Sequence, residues 1–182
     1  VIRAGVVFSL MLVAAGDCQL PPSGNWFDYP DILCGTLAGL GFHAGAWKAV
    51  APDSPVYTCE YPTAAWPNDT AARIAAEFAA KRPPPPTSLS FVVDGDRPNR
   101  AETVSIAITV HVTEAKADAK KQMLACVQAL FQTIHQDVPR ALPAYIDKEQ
   151  HYLSHQRYGV VSFFVTARRS EDVLWFRLGR IP

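Results

Sequence analysis

Between Thr103 and Val112 apolar and polar residues alternate without a break, Val104, Ile106, Ile108, Val110 and Val112 against Thr103, Ser105, Ala107, Thr109 and His111. A strand turns successive side chains to opposite faces, so this spacing predicts a strand with one face in a core and the other wetted. Leu89 to Val93 reads as its partner, joined through a hairpin loop of Asp94, Gly95, Asp96, Arg97, Pro98 and Asn99. Thr113 then stands where it caps the longest helix, from about Glu114 to Gln136. Its apolar stripe runs through Ala119, Met123, Val127, Leu130 and Ile134, with Leu124, Cys126 and Phe131 beside it.

The remaining segments fit the same plan. A first helix is signalled by Asp28 as cap, Pro30 in the first turn and Gly41 as terminator, with Leu33, Leu37 and Leu40 on one face. Gly45 to Pro55 is a turn region, and Val56 to Tyr61 a short strand with Tyr57, Cys59 and Tyr61 on one side, ended by Pro62. A small helix follows from Trp66, capped by Asn68 or Asp69, with Ala71, Ile74, Ala75 and Phe78 at helical spacing. Asn68-Asp69-Thr70 also matches a glycosylation acceptor, for which the cap is sufficient explanation. Pro83 to Pro86 has no backbone donors and reads as a stiff extended spacer. Pro139 and Pro143 bracket a short helical piece ending near Gln150, and a second hairpin comprises Tyr158 to Ala167, a turn at Arg169 to Asp172, and Val173 to Ile181. Strands grouped in hairpins beside a long amphipathic helix predict an α+β fold. The expected form is a two-layer sandwich of an antiparallel sheet, with the long helix and the N-terminal helix packed on one face.

Arg3 followed by the apolar run Ala4 to Ala15 is too short to cross a bilayer as a helix and suits the core of a signal peptide. Small residues from Val13 to Gly16 offer a cleavage site, and Asp17 directly before Cys18 is the wrong residue for lipoprotein processing. The expectation is a signal peptide or membrane anchor over 1–16 and a single α+β domain over 17–182. About 165 residues suffice for one core burying roughly 70% of the unfolded surface. The expected address is periplasmic or secreted. Membrane contact would come only through the N-terminal segment, if it is uncleaved.

Seventeen basic and seventeen acidic side chains balance, which removes the basic excess that a nucleic-acid partner would require. Arg157, Arg168, Arg169, Arg177 and Arg180 make the C-terminal hairpin modestly basic, as solvated arginines on strand positions do. Cys18, Cys34, Cys59 and Cys126 allow three full pairings in an oxidising compartment, and none of the spacings is that of a zinc knuckle or a redox dithiol.

Leu33-Cys34-Gly35, Gly41-Phe42, Gly45-Ala46-Trp47 and Tyr57-Thr58-Cys59-Glu60 together resemble small uncharacterised exported proteins of proteobacteria. The resemblance covers about a sixth of the chain, and it implies a compartment and a Cys34–Cys59 disulfide but no activity. Packing the first helix on the strand of Cys59 would serve such a bridge. The element order alone is similar to that of type III secretion chaperones; those are acidic and cytoplasmic, whereas this chain is neutral with an export leader.

His151 and His155, four apart, would share one face of a helix within reach of one metal ion. Surface histidines at a helix end are the expected reading, with no metal and no cofactor. A metal-assisted hydrolase using this pair with Glu149 or Asp147 is the alternative, the metal lowering the pKa of a bound water. Asp94 and Asp96 around Gly95 read as a turn, because the later acidic ligands of a calcium loop are missing. Trp26 and Trp66 stand near prolines in loops, where packing onto a small core is the expected role. No Gly-x-Ser-x-Gly elbow and no glycine-rich phosphate loop occurs. The leading expectation is a non-enzymatic exported domain that binds another envelope protein, or presents an open sheet face to a ligand. A membrane-tethered structural accessory domain is the third.

Overall fold

The computed structural model describes residues 25–65 and 85–181. Seven strands, β1 (Lys48–Ala49), β2 (Tyr57–Ala65), β3 (Ser88–Gly95), β4 (Thr103–Val110), β5 (Tyr152–Gln156), β6 (Gly159–Ala167) and β7 (Asp172–Gly179), form one sheet. Their order is β1-β2-β3-β4-β7-β6-β5, and every neighbouring pair is antiparallel. Among the described residues three α-helices accompany it, α1 (Pro30–Cys34), α2 (Lys116–Thr133) and α3 (Leu142–Asp147), with 3-10 turns at Trp26–Asp28, Ala38–Leu40 and Thr113–Ala115. The fold is α+β, and the sheet is open rather than a barrel, ending at β1 on one side and β5 on the other.

Register follows from the alternation of β4. Leu89, Phe91 and Val93 of β3 stand opposite Ile108, Ile106 and Val104, which on the other side face Leu174, Phe176 and Leu178 of β7. These nine side chains are at most 1% exposed, and a slip of one residue would turn each set to the opposite face. Ala119, Met123, Cys126, Val127, Leu130 and Phe131 of α2 join the same cluster, as do Leu33 of α1 and Leu142 and Ile146 of α3. The stripe read for the long helix is therefore its buried face.

Several boundaries differ from expectation, each for a local reason. The N-terminal helix is broken: α1 ends at Cys34, Gly35, a poor helix former, follows it, and a separate 3-10 turn containing Gly39 comes after. Asp28 does not cap it; the Asn25 side chain accepts from the Phe27 N–H at 3.1 Å and starts the 3-10 turn instead. Leu33 and Leu37 are buried but Leu40 is 38% exposed, since the break ends helical spacing. Gly41, at φ 86°, does terminate the segment, in a left-handed conformation suited to glycine.

Pro62 does not end its strand. The register shifts between Tyr61 and Ala64, so a bulge removes the residue without an N–H from the ladder and β2 continues to Ala65. Thr113 lies inside a 3-10 turn and makes no side-chain cap to α2. Two strands were not foreseen, β1 and β5; Lys48–Ala49 is too short to show a pattern, and Tyr152–Gln156 is mostly polar. The 1–16 segment, Cys18, the small helix from Trp66 and the first two prolines of the spacer lie outside the described residues.

Candidate functional site

Cys34, the last residue of α1, is disulfide-bonded to Cys59, the third residue of β2, with 6.0 Å between their Cα atoms. Both are buried, at 7% and 2% exposure. The bridge ties the N-terminal segment to the sheet. Trp47 braces the region from outside, stacking on Tyr57 with centroids 6.1 Å apart and donating its indole N–H to the Pro98 carbonyl at 2.7 Å. A shallow cleft of about 230 Å³ lies between Asp31, Cys34, His43 and Trp47. Cys126 is a free thiol on α2, fully buried, and burial pushes its pKa up to about 12. A thiol so placed is neither a nucleophile nor a metal ligand at neutral pH.

His151 and His155 fall elsewhere than a helix. His155 is in β5 and His151 immediately precedes it, so the pair shares a sheet face with spacing set by strand rise. Four residues at about 3.3 Å each hold the two imidazoles about 13 Å apart, beyond the span of a single ion. Glu149 turns toward Lys116 at 3.3 Å and Lys120 at 3.7 Å, and Asp147 toward Lys120 at 3.8 Å. No group of three or more His, Cys, Asp or Glu among the described residues has the geometry of a metal site. The hydrolase constellation is thus dispersed over a strand and a lysine cluster.

That lysine cluster fixes α2 to its neighbours. Lys116 Nζ lies 2.7 Å from Asp172 Oδ2 at the start of β7, and this hydrogen bond, with the Glu149 carboxylate beside it, holds the Lys116 pKa above its ordinary 10.5 against the effect of burial. A polar cleft of about 180 Å³ opens next to it, lined by His111, Arg168, Arg169 and Glu171 among others. Glu171 serves the whole cleft, 2.9 Å from Arg168 and 3.9 Å from His111. The Glu171–Arg168 contact is of the kind structural ion pairs make.

Three of the five arginines read as a basic face have individual partners. Arg168 pairs with Glu171, Arg180 pairs with Asp28 at 3.1 Å, and Arg177 donates to Thr103 Oγ1 at 3.4 Å. Trp26 packs against the core beside His135, with centroids 5.6 Å apart. Asp94 and Asp96 do different things: Asp94 lies in β3, while Asp96 accepts from Arg100 at 2.9 Å and 3.1 Å to close the hairpin loop. A Cβ on Gly95 would collide with the Arg100 carbonyl, which explains glycine there.

The side of the sheet opposite the buried set has a different composition. Register places Ser90, Val92 and Asp94 of β3 opposite Ala107, Ser105 and Thr103 of β4, then Trp175, Arg177 and Gly179 of β7, then Phe164, Ser162 and Val160 of β6. Leu153 and His155 of β5 complete it. Phe164 stacks on Trp175, centroids 6.0 Å apart and rings 15° from parallel, and His151 meets Phe164 edge-on at 6.4 Å. Both aromatic rings are partly exposed, Arg177 is exposed, and Leu153 is 68% exposed. Sequence reasoning missed this cluster because its members come from three strands, one of them unrecognised; the hint was the adjacent aromatic pairs Phe163–Phe164 and Trp175–Phe176, of which a strand can bury only one member on a given face.

No helix among the described residues is long and apolar enough to cross a membrane. The disulfide fits a non-reducing environment. Comparison with curated proteins and with solved structures gave no match. One family model matches over residues 13–159, a span that includes both bridged cysteines and runs through β5 to the first residue of β6. On that span the chain belongs to DUF6030, a family of unknown function.

Proposed function

We propose that this chain is an exported, non-enzymatic binding domain of two layers, with α1, α2 and α3 on one face of the sheet and the other face presented to a partner protein of the cell envelope. The observation that carries this reading is the stacked pair Phe164 and Trp175, partly exposed on the side away from the buried cluster. Rigid aromatic rings supply large contact area at low entropic cost, and Trp and Arg are the residues most enriched where binding energy concentrates. Arg177 lies in the same strand two residues from Trp175, and hydroxyls of Ser90, Ser105 and Ser162 surround the rings with adaptable hydrogen-bonding groups. The apolar leader at 4–15 and the Cys34–Cys59 bridge support export.

The test has two arms. Mass analysis of the native protein should show the leader removed; a cytoplasmic product retaining Val1 would sink the export reading. Phe164→Ala with Trp175→Ala should abolish retention of a partner from the envelope fraction while the far-ultraviolet spectrum stays unchanged. Equal retention by the wild type and this folded variant would remove the sheet face from consideration.

A further inference from the structure

Three chain segments meet where α2 ends, and two of them carry residues there that the backbone does not ask for. The helix closes with the Gln136 N–H donating to the Phe131 carbonyl at 2.9 Å and the His135 N–H to the Gln132 carbonyl at 3.1 Å, a pattern whose left-handed position usually holds glycine. His135 takes that position instead, at φ 49°, with its ring centroid 5.6 Å from that of Trp26. Arg157 and Tyr158 form a two-residue turn between the paired Gln156 and Gly159, a place where Asn, Asp or Gly at positive φ is favoured. Neither residue has a positive φ, and both are large. The third segment begins at Asn25, whose Oδ1 caps the first 3-10 turn and whose NH2 group has no partner among the described residues.

Between these segments lies a cleft of about 420 Å³, lined by Asn25, Trp26, Gln136, Arg157 and Tyr158. Small-molecule sites enclose roughly 300–1,000 Å³, a range this cleft reaches and the clefts beside His111 and His43 do not. Arg157 is exposed and has no ion-pair or hydrogen-bond partner among the described residues, and no carboxylate lines the cleft. Asp137 stands outside the lining, where its main-chain carbonyl meets the Tyr158 hydroxyl at a long 3.5 Å. Burial, with smaller additions from Tyr152 and Asp137, pushes the Tyr158 pKa up to about 12, so at neutral pH the phenol keeps its proton and stays a donor.

Each of these groups narrows the ligand. An unpaired guanidinium with no acid in the wall takes an anion, carboxylate or phosphate. Primary amides both donate and accept, which matches hydroxyl groups that do the same. The part of the half-buried Trp26 ring in the wall calls for an apolar surface on the ligand. Inorganic phosphate would leave that ring without a contact, and a free amino acid would bring an ammonium group that no lining carboxylate receives. We propose that this cleft binds a sugar bearing a carboxylate, a hexuronic acid unit of an acidic polysaccharide. Arg157 takes the carboxylate, Asn25, Gln136 and the Tyr158 hydroxyl take the ring hydroxyls, and the sugar C–H groups lie against Trp26. His135 is a positioning residue that holds the Trp26 ring. The cleft shares no residue with the Phe164–Trp175 face, so each stands or falls separately.

Calorimetric titration of the full chain with tetragalacturonate and with tetramannuronate tests the cleft, in salt of about 0.15 M to screen unspecific attraction. At least one should bind with a Kd at or below about 1 mM, and its uncharged methyl ester about tenfold more weakly or worse. Arg157→Ala should weaken binding by about tenfold or more with an unchanged circular dichroism spectrum, since Arg157 is exposed. His135→Gly should leave the melting temperature equal or higher, glycine suiting the left-handed position, and yet weaken binding about threefold; equal affinity would remove the positioning role. Absence of binding by both tetramers at about 10 mM, or unchanged affinity in folded Arg157→Ala, would overturn the site. Displacement of the tetramer by an equal concentration of inorganic phosphate, or equal binding of an N-acetylated tripeptide with a free C-terminus, would overturn the sugar. Should Arg157→Ala fail to fold, the methyl ester decides alone, because equal binding of the ester overturns the proposal without any variant.

Discussion

Gly159, at the start of β6, comes so close to Gly179, at the end of β7, that a Cβ on Gly159 would stand 2.6 Å from the Gly179 carbonyl oxygen and 3.0 Å from Leu178 Cδ1. The obstacle is backbone, in a pair of strands held by eight successive register partners. Gly159→Ala is expected to lower stability by on the order of 1–3 kcal/mol, the usual range for forcing volume into a packed site. Urea unfolding measures it. A midpoint equal to the wild type would show that the strands part more easily than this contact implies.

Removing the Cys34–Cys59 bridge by paired serine substitution should cost about 3 kcal/mol, from the loss of a closed loop spanning 25 residues. Thermal melting of the variant, beside the wild type with and without reductant, checks this. The reduced wild type should melt with the variant.

Cys126 should resist thiol reagents in the folded protein. Its sulfur is buried within α2 and burial favours the neutral thiol, with a pKa pushed up to about 12. Peptide mapping after labelling at pH 8 should find Cys126 unmodified until denaturant is added. Rapid labelling in native buffer would mean that α2 opens locally far more often than its packing allows.

Asp94 works against stability at neutral pH. Burial raises its pKa above 3.8, Arg177 opposes that, and Glu102 adds to it. A carboxyl whose folded pKa is raised binds more protons folded than unfolded, so its contribution becomes less favourable as pH climbs through the window above 3.8. Asp94→Asn should therefore flatten the pH dependence of stability in mildly acid solution and raise stability at pH 7 relative to the wild type. Denaturant titrations at several pH values would detect a lower stability at pH 7, which would show the Arg177 attraction to be the larger effect.

His151→Ala with His155→Ala should leave the protein within about 0.5 kcal/mol of the wild type, as exposed surface substitutions usually do. A fall in melting temperature beyond about 5 °C, or loss of a bound metal seen by elemental analysis, would reinstate the hydrolase alternative.

Which parts of this fold were readable from residues follows from how local their physics is. The β3–β4 hairpin and the stripe of α2 were visible because burial on one side writes a period of two or 3.6 directly into the chain. β5 was not, since this edge strand has polar residues on both faces, Ser154 and Gln156 on one and His155 on the other. That omission also put His151 and His155 on an imagined helix, where a spacing of four means adjacency; on a strand it means separation. Pro62 misled for a related reason, because a bulge rescues a proline that an uninterrupted ladder would reject. The Phe164–Trp175 stack depends on β6 and β7 lying side by side, a pairing that the hairpin reading contained, yet its exposure depends on which face the helices take, and no local pattern records that.

The position of β7 between β4 and β6 has a consequence for how the molecule is made. β1 through β4 are joined by near neighbours in sequence, and so are β5 and β6, but the two groups meet only through β7, where Val104 aligns with Leu178, 74 positions later (178 − 104 = 74). The half-sheet β1 to β4 is therefore complete in the growing chain well before β7, the strand that covers the flank of β4, has been made. Pairing across such a distance is slow, and unpaired borders are sticky while they wait. A shortened product lacking 172–179 would expose the long flank of β4, Thr103 to Val110, whose Val104, Ile106 and Ile108 make it the stretch most apt to template aggregation. A chaperone that holds the nascent chain until β7 arrives would matter more to this protein than to one whose strands simply follow each other.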